Sequence, residues 1–247
     1  MLDVIIVGAG PAGLSAALIL GRCRRKVLVC DNGKPRNRVS KRVSGFLTRD
    51  GMPPAELRRV GREQLALYDS VEIRDITVVD ARCRDYGFEV ELEDGTRLTT
   101  RKLLLATGVI DDLPPIEGAE AFYGRGLHHC PYCDGWELRD QPLAVYGGGA
   151  SAKGMALELT MWSRDLALCA NGAAEFPTRI ASSLHTPASA STRSGSAGSK
   201  AIRANSSESA SIRAKYFAYE PCSFPRADAS GAIWPSGWGA YDRKGYG

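Results

Sequence analysis

The chain has 247 residues, 44% of them hydrophobic, which is enough for one or two soluble domains. Its formal net charge of +4 is small, and its basic residues are scattered, which argues against nucleic-acid binding. Five of the seven cysteines stand singly, so no disulfide framework is indicated and a cytoplasmic protein is expected. These five are expected to pack as small apolar residues: Cys23, Cys30, Cys83, Cys169 and Cys222.

The apolar run at the start of the chain predicts a strand, a glycine turn and a helix. Asp3–Val7 is typical of a buried parallel strand and Ala12–Leu20 of a helix. Between them, Gly8 allows a tight turn, Gly10 lets a pyrophosphate approach backbone N–H groups, and Gly13 lets helix and strand pack closely. A signal peptide or membrane span is rejected because of these glycines and because Asp3 stands at the start of the apolar run.

A second strand, Lys26–Cys30, ends in an acid at the spacing that a ribose-binding carboxylate has. Asp31 lies 18 residues beyond Gly13, and the expected spacing is about 20 residues. This site would hold a dinucleotide, although the glycines do not say whether FAD or NAD. The alternative is a glycine-rich loop that closes an ordinary βαβ unit.

The next segment predicts a helix and several strands. The helix runs from Ala55 to about Tyr68. Three strands, expected to form a small antiparallel sheet, follow at Val71–Arg82, Phe88–Leu92 and Thr96–Thr100. Lys102–Leu105 predicts a buried strand whose small-residue turn, formed by Ala106, Thr107 and Gly108, can lie against a flat ring or a phosphate.

A Cys-x-x-Cys pair followed by an acid predicts a redox-active dithiol. Cys130 and Cys133 are close enough in sequence for their sulfurs to meet, and Asp134 stands directly after them. The alternative is a metal site that adds His129 as a ligand. Structural zinc needs four ligands, and no second ligand pair completes the set, so no metal is expected.

A second glycine motif follows the dithiol. Leu143–Tyr146 predicts a strand that runs into a Gly-x-Gly-x-x-Ala turn, with Gly147, Gly149, Ser151 and Ala152 at its key positions. A helix at Lys153–Trp162 and a strand at Asp165–Cys169 complete the start of a second βαβ unit. Two dinucleotide sites therefore flank one dithiol.

In this order, the motifs over residues 1 to about 170 resemble those of low-molecular-weight thioredoxin reductases and their close bacterial relatives. The resemblance implies a homodimeric enzyme that moves electrons from NAD(P)H through FAD to the dithiol, and then to a thioredoxin-like protein or a small-molecule disulfide. It implies that Cys133 lies against the flavin, Cys130 attacks the partner disulfide and Asp134 handles protons. It assigns cofactor binding to Gly8, Gly10, Pro11, Ala12, Gly13, Asp31, Ala106, Thr107, Gly108, Gly147, Gly149, Ser151 and Ala152.

The resemblance also implies the fold and the domains. We expect an α/β protein of the three-layer, Rossmann-like (ββα) FAD/NAD(P)-binding type, with a discontinuous FAD domain and an incomplete inserted NAD(P) domain. The expected domains are residues 1–113 for FAD, 114–172 for NAD(P) and the dithiol, and 173–247 as a low-complexity, disordered tail. The segment Ile110–Gly118, with its prolines, is the expected first crossing between domains.

The chain departs from the family pattern after about residue 172. Cys169 is followed by Ala170–Gly172 without the arginines that would bind a 2′-phosphate, so NADPH is not favoured over NADH. The serine-rich run that follows predicts neither strands nor helices, and we interpret residues 173–239 as a shifted reading frame. A native linker or a basic tail for a partner is the alternative. The chain as a whole could then be a catalytically inactive remnant or, in another class, a zinc-binding or interaction module.

Overall fold

The computed structural model describes residues 1–169 and the backbone of residues 215–218. The chain divides into two compact units. The described part of the first comprises Met1–Arg38 and Ala55–Ile110, and that of the second comprises Val39–Pro54 and the described residues from Asp111. The division after Ile110 falls at the start of the predicted crossing. The grouping of Val39–Pro54 with the second unit differs from the predicted continuous segment 1–113.

The first unit is built on one six-stranded sheet. Its elements are β1 (Leu2–Val7), α1 (Pro11–Arg22), β2 (Val27–Cys30), α2 (Pro54–Leu65), β3 (Val71–Arg74), β4 (Val78–Arg84), β5 (Gly87–Leu92) and β6 (Arg97–Leu105). The strand order is β3-β2-β1-β6-β5-β4. The strands β3, β2, β1 and β6 run parallel to one another. The strand β5 pairs antiparallel with β6, and β4 pairs antiparallel with β5.

The centre of this sheet is buried on both faces. Ile5 and Ile6 are both fully buried, and so are the four residues of β2. One face packs against α1 and α2 through Ala17 and Leu65, and the other packs against side chains of β5 such as Val90. Continuous apolar strands between two covering layers are typical of parallel sheets. The predicted strand, turn and helix at the start of the chain are confirmed.

The strands after α2 differ from the prediction in two ways. The expected strand Val71–Arg82 is two strands: β3 pairs parallel with β2, and only β4 joins the antiparallel part. The two expected strands Thr96–Thr100 and Lys102–Leu105 are the single strand β6. Its first half pairs with β5 and its second half with β1, so one strand belongs to both parts of the sheet. The expected antiparallel pairing of three strands is confirmed, but these strands belong to the six-stranded sheet and the first of them begins at Val78.

The second unit contains a parallel sheet. Its elements are α3 (Ala119–Phe122), β7 (Leu127–His128), α4 (Pro131–Asp134), β8 (Leu143–Tyr146), α5 (Gly149–Leu159), β9 (Leu166–Cys169) and β10 (Lys215–Ala218). The strand order is β7-β10-β8-β9, all parallel. The core forms where Met155 and Leu159 of α5 pack against Leu143, Val145 and Leu166.

Strand β10 lies within the stretch for which the sequence predicts no regular structure. All four of its residues pair with β8 on one side, and Tyr216 and Phe217 pair with β7 on the other. Tyr216 and Phe217 are adjacent and stand between Lys215 and Ala218, and two apolar residues are too few to give a periodic signal. The other residues of the predicted tail, and the segment Ala170–Gly172, lie outside the described residues.

The single cysteines follow the prediction only in part. Cys30 in β2 is buried, as expected, whereas Cys23, Cys83 and Cys169 are exposed. Cys23 ends α1 and Cys83 lies on the edge strand β4, which explains why neither is covered. Cys222 lies outside the described residues. Across residues 1–169 and 215–218, no helix has the length and apolar character that crossing a membrane requires.

Candidate functional site

The first glycine turn connects β1 to α1 and is closely packed against its surroundings. Gly8 has a φ of +108°, and its N–H donates to the carbonyl of Cys30 at 2.8 Å. A Cβ at Gly8 would lie 2.3 Å from the carbonyl oxygen of Ala106, and one at Gly13 would lie 1.9 Å from that of Gly8. Only glycine allows this turn and this approach of helix to strand.

Gly10 has a different environment in the same turn. A Cβ built there would meet no atom within 4 Å, so the backbone is open on that side. Gly10 is the N-cap of α1, Pro11 and Ala12 in the first turn are exposed, and that turn carries no acid. The unpaired N–H groups of a helix start attract an anion. An open backbone at this point fits a pyrophosphate.

Asp31 lies directly after β2, with only 6% of its surface exposed. Its Oδ2 accepts hydrogen bonds from Arg58 and from Arg62, the latter at 2.6 Å, and its Oδ1 accepts the N–H of Gly33 at 3.1 Å. A buried carboxylate is costly unless it is paired, and two guanidinium groups of α2 supply that pairing here. No sequence motif predicted either arginine.

Arg62 links the buried acid to a second, exposed one. Its Nη2 also donates to Asp75 at 2.5 Å. This hydrogen bond raises the pKa of Arg62 and lowers the pKa of Asp75. The carboxylate at the predicted ribose position is thus held in a charge network, in which Arg62 stays protonated.

The small-residue turn after β6 lies beside the first glycine turn. The N–H of Ala106 donates to the carbonyl of Val7 at 2.9 Å, so this turn continues the pairing of β6 with β1. Gly108 has a φ of +69° and open space at its Cβ position. Ala106, Thr107 and Gly108 therefore bring an unobstructed backbone close to Gly8.

The second glycine turn connects β8 to α5. Gly147 and Gly149 have φ values of +147° and +64°, and a Cβ at Gly149 would meet nothing within 4 Å. The N–H of Gly147 donates to the carbonyl of Cys169 at 3.1 Å. Ser151 is exposed in the first turn of α5, and Ala152 is buried beneath it. The second turn thus has an open backbone at a helix start, like the first.

Cys130 and Cys133 form a disulfide across the start of the short helix α4. Their Cα atoms are 5.3 Å apart, within the range that a disulfide spans. Cys130 is the N-cap with an extended backbone and is half-buried, whereas Cys133 is exposed. The N–H of Cys133 donates to the carbonyl of Cys130 at 3.2 Å. The pair is held on a single backbone turn.

An aromatic residue after α5 anchors this turn. A Cβ at Gly135 would lie 2.7 Å from the ring of Trp162, so only glycine lets α4 approach that ring. Tyr132 packs edge-on against the same ring, with centroids 5.4 Å apart. The helix that carries the disulfide therefore packs against Trp162.

The acid after the disulfide contacts a buried histidine. Oδ2 of Asp134 lies 3.2 Å from Nδ1 of His128, which is only 7% exposed. His128 ends β7, so the parallel sheet sets its position. The sequence placed His128 near the dithiol but did not anticipate its contact with Asp134.

The second histidine contacts a different acid. The hydroxyl of Tyr123 hydrogen-bonds with a carboxylate oxygen of Asp111 and lies 2.9 Å from Nδ1 of His129. These three residues line a cleft that also includes Asp112, Leu113, Pro114, Leu127 and His128. Asp111 and Tyr123 were missed as site residues. Their separation in the chain gives no motif, and only the adjacency of His129 to Cys130 offered a signal.

The predicted site residues thus occur in three places. The first unit brings together Gly8, Gly13, Asp31 and the turn after β6, and the second holds the dithiol and the other glycine turn. Within residues 1–169 and 215–218, no cluster of three or more histidine, cysteine or acidic side chains could bind a metal ion.

Two sheets, each with a glycine turn that opens a helix, together with a Cys-x-x-Cys disulfide, define an α/β dinucleotide-binding protein with a cysteine pair. The chain belongs to the pyridine nucleotide-disulphide oxidoreductase family, whose sequence model matches residues 2–171. Members of this family use FAD and NAD(P)H. The predicted resemblance and fold class are confirmed.

Two curated relatives and one solved structure illustrate the similarity. The "Probable thioredoxin reductase" of Arthroderma benhamiae is 39% identical over 176 residues, 69% of this chain and 44% of the relative. Thioredoxin reductase tcpT of Claviceps purpurea is 36% identical over 180 residues, 70% of this chain and 56% of tcpT. TrxB of Bacillus anthracis superposes with a TM-score of 0.69 at 40% identity, covering 72% of this chain and 60% of TrxB. The chain spans about half the length of these curated relatives.

Proposed function

We propose that the chain is a thioredoxin reductase-like flavoprotein, in which electrons pass from NAD(P)H through FAD to Cys130–Cys133 and then to a disulfide substrate. The observation that carries this proposal is the disulfide itself, formed on α4 between residues three apart, in a member of a disulphide oxidoreductase family. The names of the relatives, which are thioredoxin reductases, agree with it.

The first glycine turn would hold FAD. Gly10 leaves the backbone open, no acid repels a phosphate in the first turn of α1, and Asp31 is the carboxylate for the ribose. When bound, FAD would accept a hydride from NAD(P)H and supply two electrons to the disulfide. The other residues proposed for this cofactor are Gly8, Pro11, Ala12, Gly13, Ala106, Thr107 and Gly108.

The second glycine turn would hold NAD(P)H. The backbone at Gly149 is open, and the first turn of α5 carries no acid, so its N–H groups can bind a pyrophosphate. Gly147, Ser151 and Ala152 complete the proposed binding turn. The choice between NADH and NADPH depends on residues after Cys169, which are outside the described part.

The chemistry of the chain's own residues follows from the disulfide. Reduction of the Cys130–Cys133 bond takes up two electrons and two protons and yields two thiols. As a thiolate, Cys130 would attack the substrate disulfide, and the mixed disulfide would be resolved by Cys133. Asp134 would give and take the proton at this pair, and the buried imidazole of His128 lies 3.2 Å from its carboxylate.

The substrate would be a thioredoxin-like protein or a small-molecule disulfide. An exposed Cys133 and a half-buried Cys130 leave the pair accessible to either class. A dithiol that cycles in this way works in a reducing compartment, which favours the cytoplasm. We propose a homodimer, as in the family that the motifs resemble.

The visible spectrum of the purified protein, after incubation with FAD, tests this function. A flavin band should appear, bleach when NADPH or NADH is added, and recover as a model disulfide is consumed. Cys130→Ser and Cys133→Ser should abolish disulfide consumption, whereas Cys83→Ser, which changes an exposed thiol on an edge strand, should not. A protein that stays colourless would contradict the proposal and indicate a catalytically inactive chain.

A further inference from the structure

One face of α2 brings two arginines to the end of β2. Arg58, Gly61, Arg62 and Leu65 follow one another at the three- and four-residue spacing that places side chains on the same side of a helix. Leu65 is buried in the core, and a Cβ at Gly61 would lie 2.9 Å from the side chain of Leu14, so this face packs against α1. The packing of the two helices therefore sets the points from which both arginines reach the end of β2.

The two carboxylate oxygens of Asp31 have different partners. Oδ2 accepts hydrogen bonds from Nη2 of Arg58 and from Nη2 of Arg62, the latter at 2.6 Å. Oδ1 accepts the backbone N–H of Gly33 at 3.1 Å and has no second donor among the described residues. Each carboxylate oxygen offers two lone pairs. Oδ2 is therefore filled, whereas Oδ1 keeps one acceptor position open.

Both arginines leave Oδ1 open although they have further donors. An arginine commonly binds a carboxylate through two parallel N–H groups. The two terminal nitrogens of Arg62 instead donate to Asp75, at 2.5 and 3.3 Å. Nε of Arg58 is buried and, within the described part of the chain, has no hydrogen-bond partner. A buried donor without a partner costs free energy, so an arrangement selected for stability alone would place both donors of Arg58 on Asp31.

We infer that Arg58 and Arg62 are positioning residues for the dinucleotide at the first glycine turn: they hold Asp31 by Oδ2, so that Oδ1 accepts the 2′-hydroxyl of the adenosine ribose. The inference rests on the proposed function, in which this dinucleotide is FAD. Asp31 directly follows Cys30, whose carbonyl accepts the N–H of Gly8, so the carboxylate stands beside the turn. A carboxylate that is already fixed loses little rotational freedom when the ribose binds.

Titration of the full-length protein with FAD, and with the FAD analogue that lacks the adenosine 2′-hydroxyl, tests this role. Flavin fluorescence gives the two dissociation constants, and their ratio measures how well the ribose is recognised. The wild type should prefer FAD by about tenfold, because the hydroxyl donates to a charged acceptor. Arg58→Gln and Arg62→Gln should each lower this preference to less than about threefold, because one remaining arginine lets the carboxylate turn. Arg62→Lys, which keeps a cationic donor, should restore most of it.

Two further variants separate positioning from general stability. Arg59→Gln is the matched control, because Arg59 is the neighbouring arginine on α2 but pairs with Glu56 and Glu63. It should keep the wild-type preference. Asp75→Asn changes a side chain that is 71% exposed, so the protein should fold, and it should lower the preference to a smaller extent by weakening the hold on Arg62.

A purely structural role of the two arginines would weaken the binding of both ligands by the same factor. An unchanged ratio in folded Arg58→Gln and Arg62→Gln proteins therefore overturns the inference, as does a wild type that binds the two ligands equally. Tighter FAD binding by either variant also overturns it, because the arginine would then compete with the ribose for Asp31.

The outcome for the ribose can be distinguished from the outcome for catalysis. A protein that shows the expected ratios, but whose flavin is not reduced by NADPH or NADH, contradicts only the proposed function. A protein that reduces a disulfide through its flavin, but keeps its ratio in both glutamine variants, contradicts only the role of the arginines. A wild type that does not bind FAD contradicts both.

Discussion

At the scale of single residues, the glycines of the first turn have two distinct reasons for being glycine. Gly8 and Gly13 are required by packing, since added Cβ atoms would overlap backbone atoms. Gly10 has an ordinary extended backbone and open space, so the fold would accept a side chain there. The ligand that we propose, and not the packing of the fold, therefore explains the glycine at position 10.

This difference predicts opposite results for two alanine substitutions. Gly13→Ala should lower the free energy of unfolding by about 2 kcal/mol or more, because its Cβ would lie 1.9 Å from a carbonyl oxygen. Gly10→Ala should lower it by less than about 1 kcal/mol, yet weaken FAD binding. Urea unfolding and flavin titration measure the two effects. Equal stability losses in the two variants would contradict this account.

Cys30 predicts a pH-dependent stability. Burial raises the pKa of its thiol from 9.0 to about 11. Between these values the unfolded chain loses a proton that the folded chain keeps, so the free energy of unfolding should fall as pH rises from about 9 to 11. The loss attributable to Cys30 should be about 2 kcal/mol. Unfolding curves of wild type and Cys30→Val, compared at pH 8 and 10.5, measure it.

Cys23→Ser is the control for this measurement, because Cys23 is exposed. Its unfolding curves should keep the pH dependence of the wild type, since Cys30 is unchanged. If Cys30→Val also keeps that dependence, other ionising groups cause it and the account of Cys30 is wrong.

At the same scale, the site could be predicted from the sequence only where its residues are close in the chain. Both glycine turns and the Cys-x-x-Cys pair are local patterns, and the sequence contains each complete. Arg58 and Arg62 reach Asp31 from 27 and 31 residues away, and Asp111 joins Tyr123 across 12 residues. Contacts of this kind depend on the register of packed elements, which no short motif records.

At the scale of elements, the apolar spacing of α5 shows which side of a helix stabilises the second unit. Its buried residues recur at intervals of one to four, at Ala152, Met155, Ala156 and Leu159. This stripe packs onto Leu143, Val145 and Leu166 of the parallel strands β8 and β9. Such a stripe covers the sheet, and the opposite side of the helix faces water.

Two leucines of α5 therefore predict very different stability effects. Leu159 is fully buried, and Leu159→Ala should lower the free energy of unfolding by about 2 to 5 kcal/mol, because it leaves a cavity. Leu157 is 52% exposed, and Leu157→Ala should change it by less than about 1 kcal/mol. Chemical denaturation monitored by tryptophan fluorescence compares them. Similar losses in both would mean that α5 does not pack on the face described.

Helices and strands could be predicted from the sequence where one hydrophobic period continued over enough residues. β1, α1 and β2 were found because a buried strand and an apolar helix alternate around glycines. The continuity of β6 was missed, since its first half pairs with an antiparallel neighbour and only its last three residues, Leu103–Leu105, form an apolar run like that of a parallel strand. β10 was missed because four residues in a serine-rich stretch carry too little pattern.

At the scale of the whole molecule, the proposed function assigns one nucleotide to each unit. Each site begins at a helix whose first turn is free of acids, and an exposed residue is available there: Ala12 in α1 and Ser151 in α5. An aspartate at either position would repel a pyrophosphate while interacting favourably with the helix dipole. Ligand binding can thus be removed at one site without loss of the fold.

Ala12→Asp should abolish the stabilisation by FAD and keep that by NAD⁺ or NADP⁺, whichever stabilises the wild type, whereas Ser151→Asp should do the reverse. A ligand at about a hundredfold excess over its Kd stabilises the folded state by roughly 2.7 kcal/mol. Thermal unfolding of each variant with each ligand measures this, and the unliganded variants serve as controls for the fold. If either aspartate removes the effect of both ligands, or if neither ligand stabilises the wild type, the assignment of one nucleotide to each glycine turn is wrong.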